Sequence, residues 1–524
     1  MLSVQQPDLT QTIKNNTNPL PNNNHTGSME KMPMYLDNAI NTNKSLLLDE
    51  TARMSSERLP QRRSKISMKS SECDSRPQSA YSVNRHSILG QLPSNMDPEC
   101  LVWATVSHTG GRITLPDSGV SMTIPEGAIE MGETEDIFLA VSRDDKDRPK
   151  LTDGQTVLSP VIMVGPQGLT LLKPIILTFQ HCASIKHGQW SLSVYNSLTR
   201  FDEPPQWQLM SELGSETINT PIYVQMEMGH CHIMTDMLLR YTLLGKPSMA
   251  GKPMKQLRVA VFAPSLPSTI DYDLRVYFVE DTRDALEGVM QVERKLGGCL
   301  LDLPRQVLFQ YSGDNLCLAI EELEGGWRCK QAANYQEIPF QHVWSGTQNG
   351  LHCSFALEHT DRGQHHLGCH IHVFQKAMLA NRQVLQISCN LDETLAAAGS
   401  PSQAGKAATH RNSTVTNLGC NSMVTLEPPQ KVFRLPPAIK RKLCQILDTP
   451  NARGNDWRML AQRLSVDRYI NYFATKTSPT EHILDLWEAR HREESAVTDL
   501  MNSLRVMGRM DAAGLMEKEM GPWL

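Results

Sequence analysis

The chain has 524 residues, of which 40% are hydrophobic and 20% charged, with a formal net charge of −5. That length exceeds a single core and predicts roughly three or four units. So mild a charge offers nucleic acid or an anionic membrane no bulk attraction. Twelve cysteines fall at irregular intervals without paired CxxC spacing, which predicts reduced thiols in a cytosolic setting rather than a secreted disulfide scaffold.

Residues 1–97 hold two aromatics, Tyr35 and Tyr81, among many Asn, Ser, Pro and charged residues. Such a segment buries too little apolar area to offset chain entropy, so it is predicted to be disordered. Its start has no apolar core of a signal peptide. The basic run Arg62, Arg63 and Lys65 beside several serines fits a solvated surface, or a site for kinases and phosphatases or anionic lipid. The longest apolar stretch, Leu158 to Phe179, contains Pro160, Gly165, Pro166, Gly168, Lys173 and Pro174. A membrane span of about 20 residues would not carry that load of turn formers, so no transmembrane helix is expected.

From Cys100 the texture becomes short β-like runs broken by turns. Ile113 and Leu115 alternate before the turn Pro116–Gly119; Val120, Met122 and Ile124 alternate before Pro125–Gly127. Further runs are Ile137–Val141, Val161–Val164, Leu169–Leu172 and Ile175–Phe179, the pattern of an antiparallel sandwich over 98–244. After the Gly/Pro/Lys-rich junction Gly245–Pro253, strands are expected at Leu257–Phe262, Leu274–Val279, Val307–Phe309, Leu316–Ile320, His370–Phe374 and Val384–Ser388, giving a second β-rich domain over 245–391. Residues 392–430, rich in Ala, Gly, Ser, Thr and Asn, read as a flexible linker.

Over 431–524 the apolar period changes from 2 to 3.6. Ile439, Leu443, Ile446 and Leu447 share a face behind Pro436-Pro437, where a helix starts readily. Trp457, Leu460, Ala461 and Leu464 follow Asn455 as an N-cap. Ile470 and Phe473 come next, then Ile483, Leu484 and Leu486-Trp487 behind Ser478-Pro479-Thr480-Glu481. Val497, Leu500, Met501 and Leu504 mark a fifth helix, and Ala512 to Met520 the last. The fold class is therefore multidomain: two β-sandwich-like domains, then an all-α six-helix bundle.

Asn455–Ala461 resembles the second helix of death domains, and Leu486–Arg490 the fourth, where the Trp fills the core. Gly110–Val120, Ile124–Ile129, Leu158–Pro160 and Gly165-Pro166 resemble the β-sandwich domain of tight-junction scaffolds, ankyrins and netrin receptors. The middle stretch resembles the UPA domain. His181–Ala183 and Gly229–His232 point within this group to netrin receptors of the uncoordinated-five class, and the resemblance spans 98–524. Complete receptors add immunoglobulin and thrombospondin modules outside the cell and one transmembrane helix. The sequence as written resembles their cytoplasmic tail, as a truncated isoform or a soluble cytosolic relative would.

Active-site signatures are absent: there is no GxGxxG, P-loop, HExxH or GxSxG, and no enzyme activity or cofactor is expected. Asp144-Asp145-Lys146-Asp147 reads as a surface loop. His365, His366, Cys369, His370 and His372 lack a second spaced pair, so a polar strand face is favoured over zinc. Some relatives cleave themselves at a His-Phe-Ser sequence; the corresponding His232-Ile233-Met234 has no hydroxyl to attack with.

The chemistry of the helical domain lies in its surface charge. Residues 431–524 hold fifteen Lys and Arg against twelve Asp and Glu, a net of +3. Lys440, Arg441 and Lys442 on the first helix, with Arg490, Arg492, Glu493 and Glu494 around the fourth, are the candidate protein-binding residues. Opposed charged patches set specificity and encounter rate in such pairs. The resemblance implies repulsive axon-guidance and apoptotic signalling from the cytoplasmic side of the plasma membrane, with the three domains folded together in a closed state. The implied partners are death-domain proteins or co-receptor tails, with netrin bound only through an ectodomain outside this sequence. The alternatives are a soluble death-domain adaptor and an ankyrin-like cytoskeletal scaffold, the latter without the expected ~33-residue repeat.

Overall fold

The computed structural model describes Leu92 and residues 96–520, apart from 187, 265–270, 331–332, 347–349, 362–365, 377, 391–433 and 494. The expected disorder of 1–97 falls almost wholly outside these residues, as does the linker over 392–430.

The first sandwich uses β1 (Leu101–Ser107), β2 (Gly111–Leu115), β3 (Val120–Ile124), β4 (Thr134–Ser142), β5 (Thr156–Val157), β6 (Val161–Gly165), β7 (Ile175–Gln180), β8 (Trp190–Ser197), β9 (Trp207–Glu212), β10 (Tyr223–Met226), β11 (His230–Thr235) and β12 (Arg240–Pro247). One sheet runs β1-β4-β6-β12-β8-β9 with β5 on β12; the other runs β10-β11-β7-β3-β2. Side chains of one parity from each sheet, among them Ile113, Val120, Ile162, Leu177, Phe179 and Ile233, fill the space between them. Leu169–Leu172 is not a strand: Gly168 turns there with φ +85° and Leu172 is exposed.

The second sandwich is built from β13 (Met254–Pro264), β14 (Asp271–Glu280), β15 (Gly298–Leu300), β16 (Arg305–Gln310), β17 (Leu316–Glu321), β18 (Trp327–Cys329), β19 (Tyr335–Ile338), β20 (Leu351–His359), β21 (His366–Gln375) and β22 (Gln383–Asn390). Its sheets run β15-β13-β14-β20-β18, with β16 on β13, and β19-β17-β21-β22. Two helices absent from the strand pattern interrupt it. α1 (Arg283–Lys295) starts at Thr282, whose hydroxyl accepts from the Ala285 amide, and lays Val289 on Phe262, Tyr277 and Val279. The short α2 (Phe340–Ser345) buries Phe340, Val343 and Trp344.

The two sandwiches are joined along a polar and aromatic seam. Trp344 stacks on Trp190 with ring centroids 5.6 Å apart, and its indole donates to the Gly154 carbonyl at 3.0 Å. The Trp344 carbonyl accepts from the Thr156 hydroxyl across the seam and, within the second sandwich, from fully buried Lys255 at 3.2 Å. Arg143 pairs with Asp284 at 2.8 Å.

The helical bundle comprises α3 (Pro437–Leu447), α4 (Trp457–Arg463), α5 (Ile470–Ala474), α6 (Pro479–Arg490), α7 (Ser495–Val506) and α8 (Met510–Met520). Trp457 and Trp487 are in its core. The cap of α4 lies one residue later than the sequence suggests: Asp456 accepts from the Arg458 amide, while the Asn455 side chain donates to the Met507 carbonyl. The described residues fall in one compact unit, so the seams between the two sandwiches and the bundle are internal contacts of that unit.

Candidate protein-interaction site

Strand parity explains how the bundle comes to sit on the first sandwich. On β7, Ile175, Leu177 and Phe179 point into the sandwich, which turns Ile176 and Thr178 outward. β11 likewise turns His232 and Met234 outward, and β10 turns Tyr223 and Gln225. Ile176, Tyr223 and Met234 are nonetheless fully buried, because they belong to the same apolar cluster as the helical core. The Tyr223 ring lies 4.8 Å from that of Phe473 and 5.7 Å from that of Tyr472. Its hydroxyl sits 2.8 Å from both the Val466 carbonyl and Gln225 Oε1. Burial pushes this phenol's pKa well above its ordinary value.

Around that apolar centre runs a polar rim. Arg490, at the end of α6, donates to Glu227 in the β10–β11 hairpin and to the Leu464 carbonyl at 3.1 Å. Glu227 is shared with His232 Nε2 at 3.4 Å, whose Nδ1 meets Thr178 Oγ1 at 2.9 Å. The hydrogen bond from His232 and the charge of Arg490 hold the Glu227 carboxyl down at about 2. Lys173 pairs with Glu481 at 2.7 Å, Arg468 with Glu216 at 2.5 Å, and Arg112 donates to the Ala489 carbonyl at 3.2 Å. Tyr469 donates to the Thr217 carbonyl. A buried aromatic centre with a charged, hydrogen-bonded rim is how a specific protein interface is built.

Beside this seam lies a cleft of about 1070 Å³, walled by the Gly110–Arg112 and Pro125–Gly127 turns on one side and by α3 and α6 on the other. Gly110, at φ +64°, is required in this wall: a Cβ there would lie 2.2 Å from the Ile124 carbonyl.

The charged residues singled out from the sequence do not form one patch. Lys440 pairs with Asp485 and Glu488 within the bundle; burial opposes its charge, but the two carboxylates prevail and raise its pKa. Lys442 pairs with Glu519 on α8. Arg441 and Arg492 line the cleft, Arg490 is committed to the seam, and Glu493 is exposed. Glu494 lies outside the described residues. On the sandwich side, Tyr223, Glu216, Glu227 and Lys173 carry the contact and none was singled out. The sequence signal for Tyr223 is a strand with apolar residues of both parities, which marks two covered faces; Glu216, Glu227 and Lys173 lie off the strands.

Elsewhere, His370 and His372 face outward from β21 while Cys369 and Ile371 face the core. Each imidazole meets its own glutamate, His366 with Glu324 at 2.7 Å, His370 with Glu322 at 2.8 Å and His372 with Glu321 at 3.3 Å. No three His, Cys, Asp or Glu side chains among the described residues converge on a metal position. His365 lies outside them. Among the described residues no helix is long and apolar enough to cross a membrane.

Comparison with known families matches residues 102–198 to the ZU5 domain, 253–393 to the UPA domain and 440–520 to the Death domain. The chain thus carries ZU5, UPA and Death domains in that order, all of them interaction modules. Together they make this a protein-interaction signalling region. The third implies apoptosis signalling and association with other death-domain proteins.

Proposed function

We propose that the chain is the intracellular signalling portion of a netrin receptor of the uncoordinated-five class, acting as a switch whose death domain is held inactive on its ZU5 domain. The observation that carries this reading is the placement of Tyr223 in the core cluster of the death domain, rimmed by the Arg490–Glu227 pair. Surface committed to that seam is withdrawn from any partner, so signalling requires release. Domain limits of 98–244, 245–391 and 431–524 suit the proposal, with the Ala-, Gly-, Ser-, Thr- and Asn-rich sequence 392–430 between the last two.

In this reading Arg441 and Glu493 remain on the surface in the docked state, while Arg490 becomes available only on release. Release would serve apoptotic and repulsive-guidance output from the cytoplasmic side of the plasma membrane, through death-domain proteins and co-receptor tails. Small-angle X-ray scattering of the whole chain, combined with death-domain pulldown, tests it. A compact ZU5–UPA–Death body that expands and gains partner binding in Glu227→Arg supports the switch. A string of separate domains, or unchanged partner binding in the expanded variant, overturns it.

A further inference from the structure

Of the three tyrosines at the ZU5–death seam, Tyr223 and Tyr472 are buried, while Tyr469 is half-buried at the rim. Its hydroxyl donates to the Thr217 carbonyl, which also accepts from the Thr220 amide at 2.8 Å. The adjoining Glu216 carboxylate takes the Gly214 amide at 2.8 Å on one oxygen and Arg468 at 2.5 Å on the other. The ZU5 loop thus presents acceptors to this corner, a carbonyl and a carboxylate. At this corner the phenolic proton and the reach of Arg468 each add one contact to the docked state.

We infer that Tyr469 is a tyrosine-phosphorylation site whose modification releases the death domain from the ZU5 face. A tyrosine kinase would transfer the γ-phosphoryl of ATP to Oη. The new Oη–P bond replaces the bond to the departing ADP, and the phenolic proton leaves through the kinase's base. The ester has no proton to donate to Thr217, and it brings about −1.5 to −2 charge against that carbonyl and the Glu216 carboxylate. Arg468, next in the chain and paired with Glu216, is a cation the phosphate can draw away from that carboxylate. One modification therefore removes two contacts across the seam and adds repulsion between the domains. Because the hydroxyl is engaged in the docked state, the kinase reacts with molecules that have already opened, and the phosphate holds them there.

The inference rests on the docked state proposed above, and the test separates the two. Phosphotyrosine is installed at 469 by codon reassignment, and scattering is read alongside chemical cross-linking between the ZU5 and Death domains. An expanded unmodified chain defeats the docked state itself. A compact unmodified chain, a compact Tyr469→Phe, and an expanded phospho-chain with at least tenfold less cross-linking and unchanged helical circular dichroism support the inference. A phospho-chain as compact as the unmodified one overturns it. A Src-class kinase with ATP supplies the second reading: Tyr469 should be modified at least tenfold faster in Glu227→Arg than in the parent chain. Absence of modification in both overturns its role as a kinase site.

Discussion

Arg490 and Glu227, 263 positions apart in the chain, close the ZU5–death seam from opposite sides. Arg490 is nearly buried there while Glu227 stays about one-third exposed, so the pair is partly screened. Removing one member leaves the other without its charge partner, and about 2 kcal/mol of docking free energy should be lost, the low end for such truncations. Glu227→Arg and Arg490→Glu should each expand the particle in scattering, and the exchanged double variant should recover most of its compactness. A double variant as open as the singles would mean that the pair contributes little.

The hydroxyl of Tyr223 makes a separable contribution. Phenylalanine keeps the ring against Phe473 but leaves the buried Val466 carbonyl unmatched, which should weaken docking by about 1–2 kcal/mol. Alanine also removes the ring from a shared core and should cost about 3–5 kcal/mol. Cross-linking yield between the domains should fall in the order parent, Tyr223→Phe, Tyr223→Ala. Equal yields in all three would show that the apolar centre does not hold the seam.

That seam shows where sequence reading stops. The bundle was legible because its 3.6-residue period is local, and the capping signature Ser478–Glu481 fixes the start of α6 directly. The β-runs around Ile113, Val120, Leu257 and His370 were equally local. α1 was hidden because a single amphipathic helix inside a β-rich stretch resembles a broken strand pattern until Thr282 is seen to cap it. The interface depends on Ile176, Tyr223 and Met234 facing away from their own sandwich. Alternation shows that both faces are apolar, but not which element covers the second. Lys440 shows the converse limit: a charge on a helix looks the same in sequence whether it meets solvent or two buried carboxylates.

Acid should weaken the ZU5 fold in two legs. Burial pushes His181 down to about 4. Its Nδ1 accepts from the Ala183 amide at 3.2 Å and its Nε2 donates to the Glu227 carbonyl at 2.9 Å, so both nitrogens are committed to the neutral ring. With a lowered histidine pKa the unfolded chain binds the extra proton first. Stability is thus complete above about pH 6.5 and falls by about 3 kcal/mol as pH drops towards 4. Glu227, depressed to about 2, adds a contribution present above about pH 4.5 and lost between there and 2. Urea midpoints measured across this range should decline in both windows, with His181→Gln flattening the upper one and Glu227→Gln the lower. A decline in the upper window that His181→Gln leaves untouched would assign it elsewhere.

Lys440 should act on stability before it acts on binding. Its ammonium sits between Asp485, 5% exposed, and Glu488, whose other oxygen accepts from the Leu435 amide at 2.7 Å. Lys440→Ala leaves two carboxylates facing each other in a half-dry site, and the death domain should lose about 3–5 kcal/mol. Lys440→Met with Asp485→Leu and Glu488→Gln removes the charges together and should recover much of that loss, because a buried ion pair gains little over apolar packing of similar volume. Arg441→Glu, on an exposed neighbour, should change stability by less than about 0.5 kcal/mol while altering any partner that reads charge along the cleft. Thermal unfolding and partner binding measured on the same three variants distinguish the roles. If Lys440→Ala unfolds like the parent chain but loses its partner, the lysine belongs to the binding surface rather than to the fold.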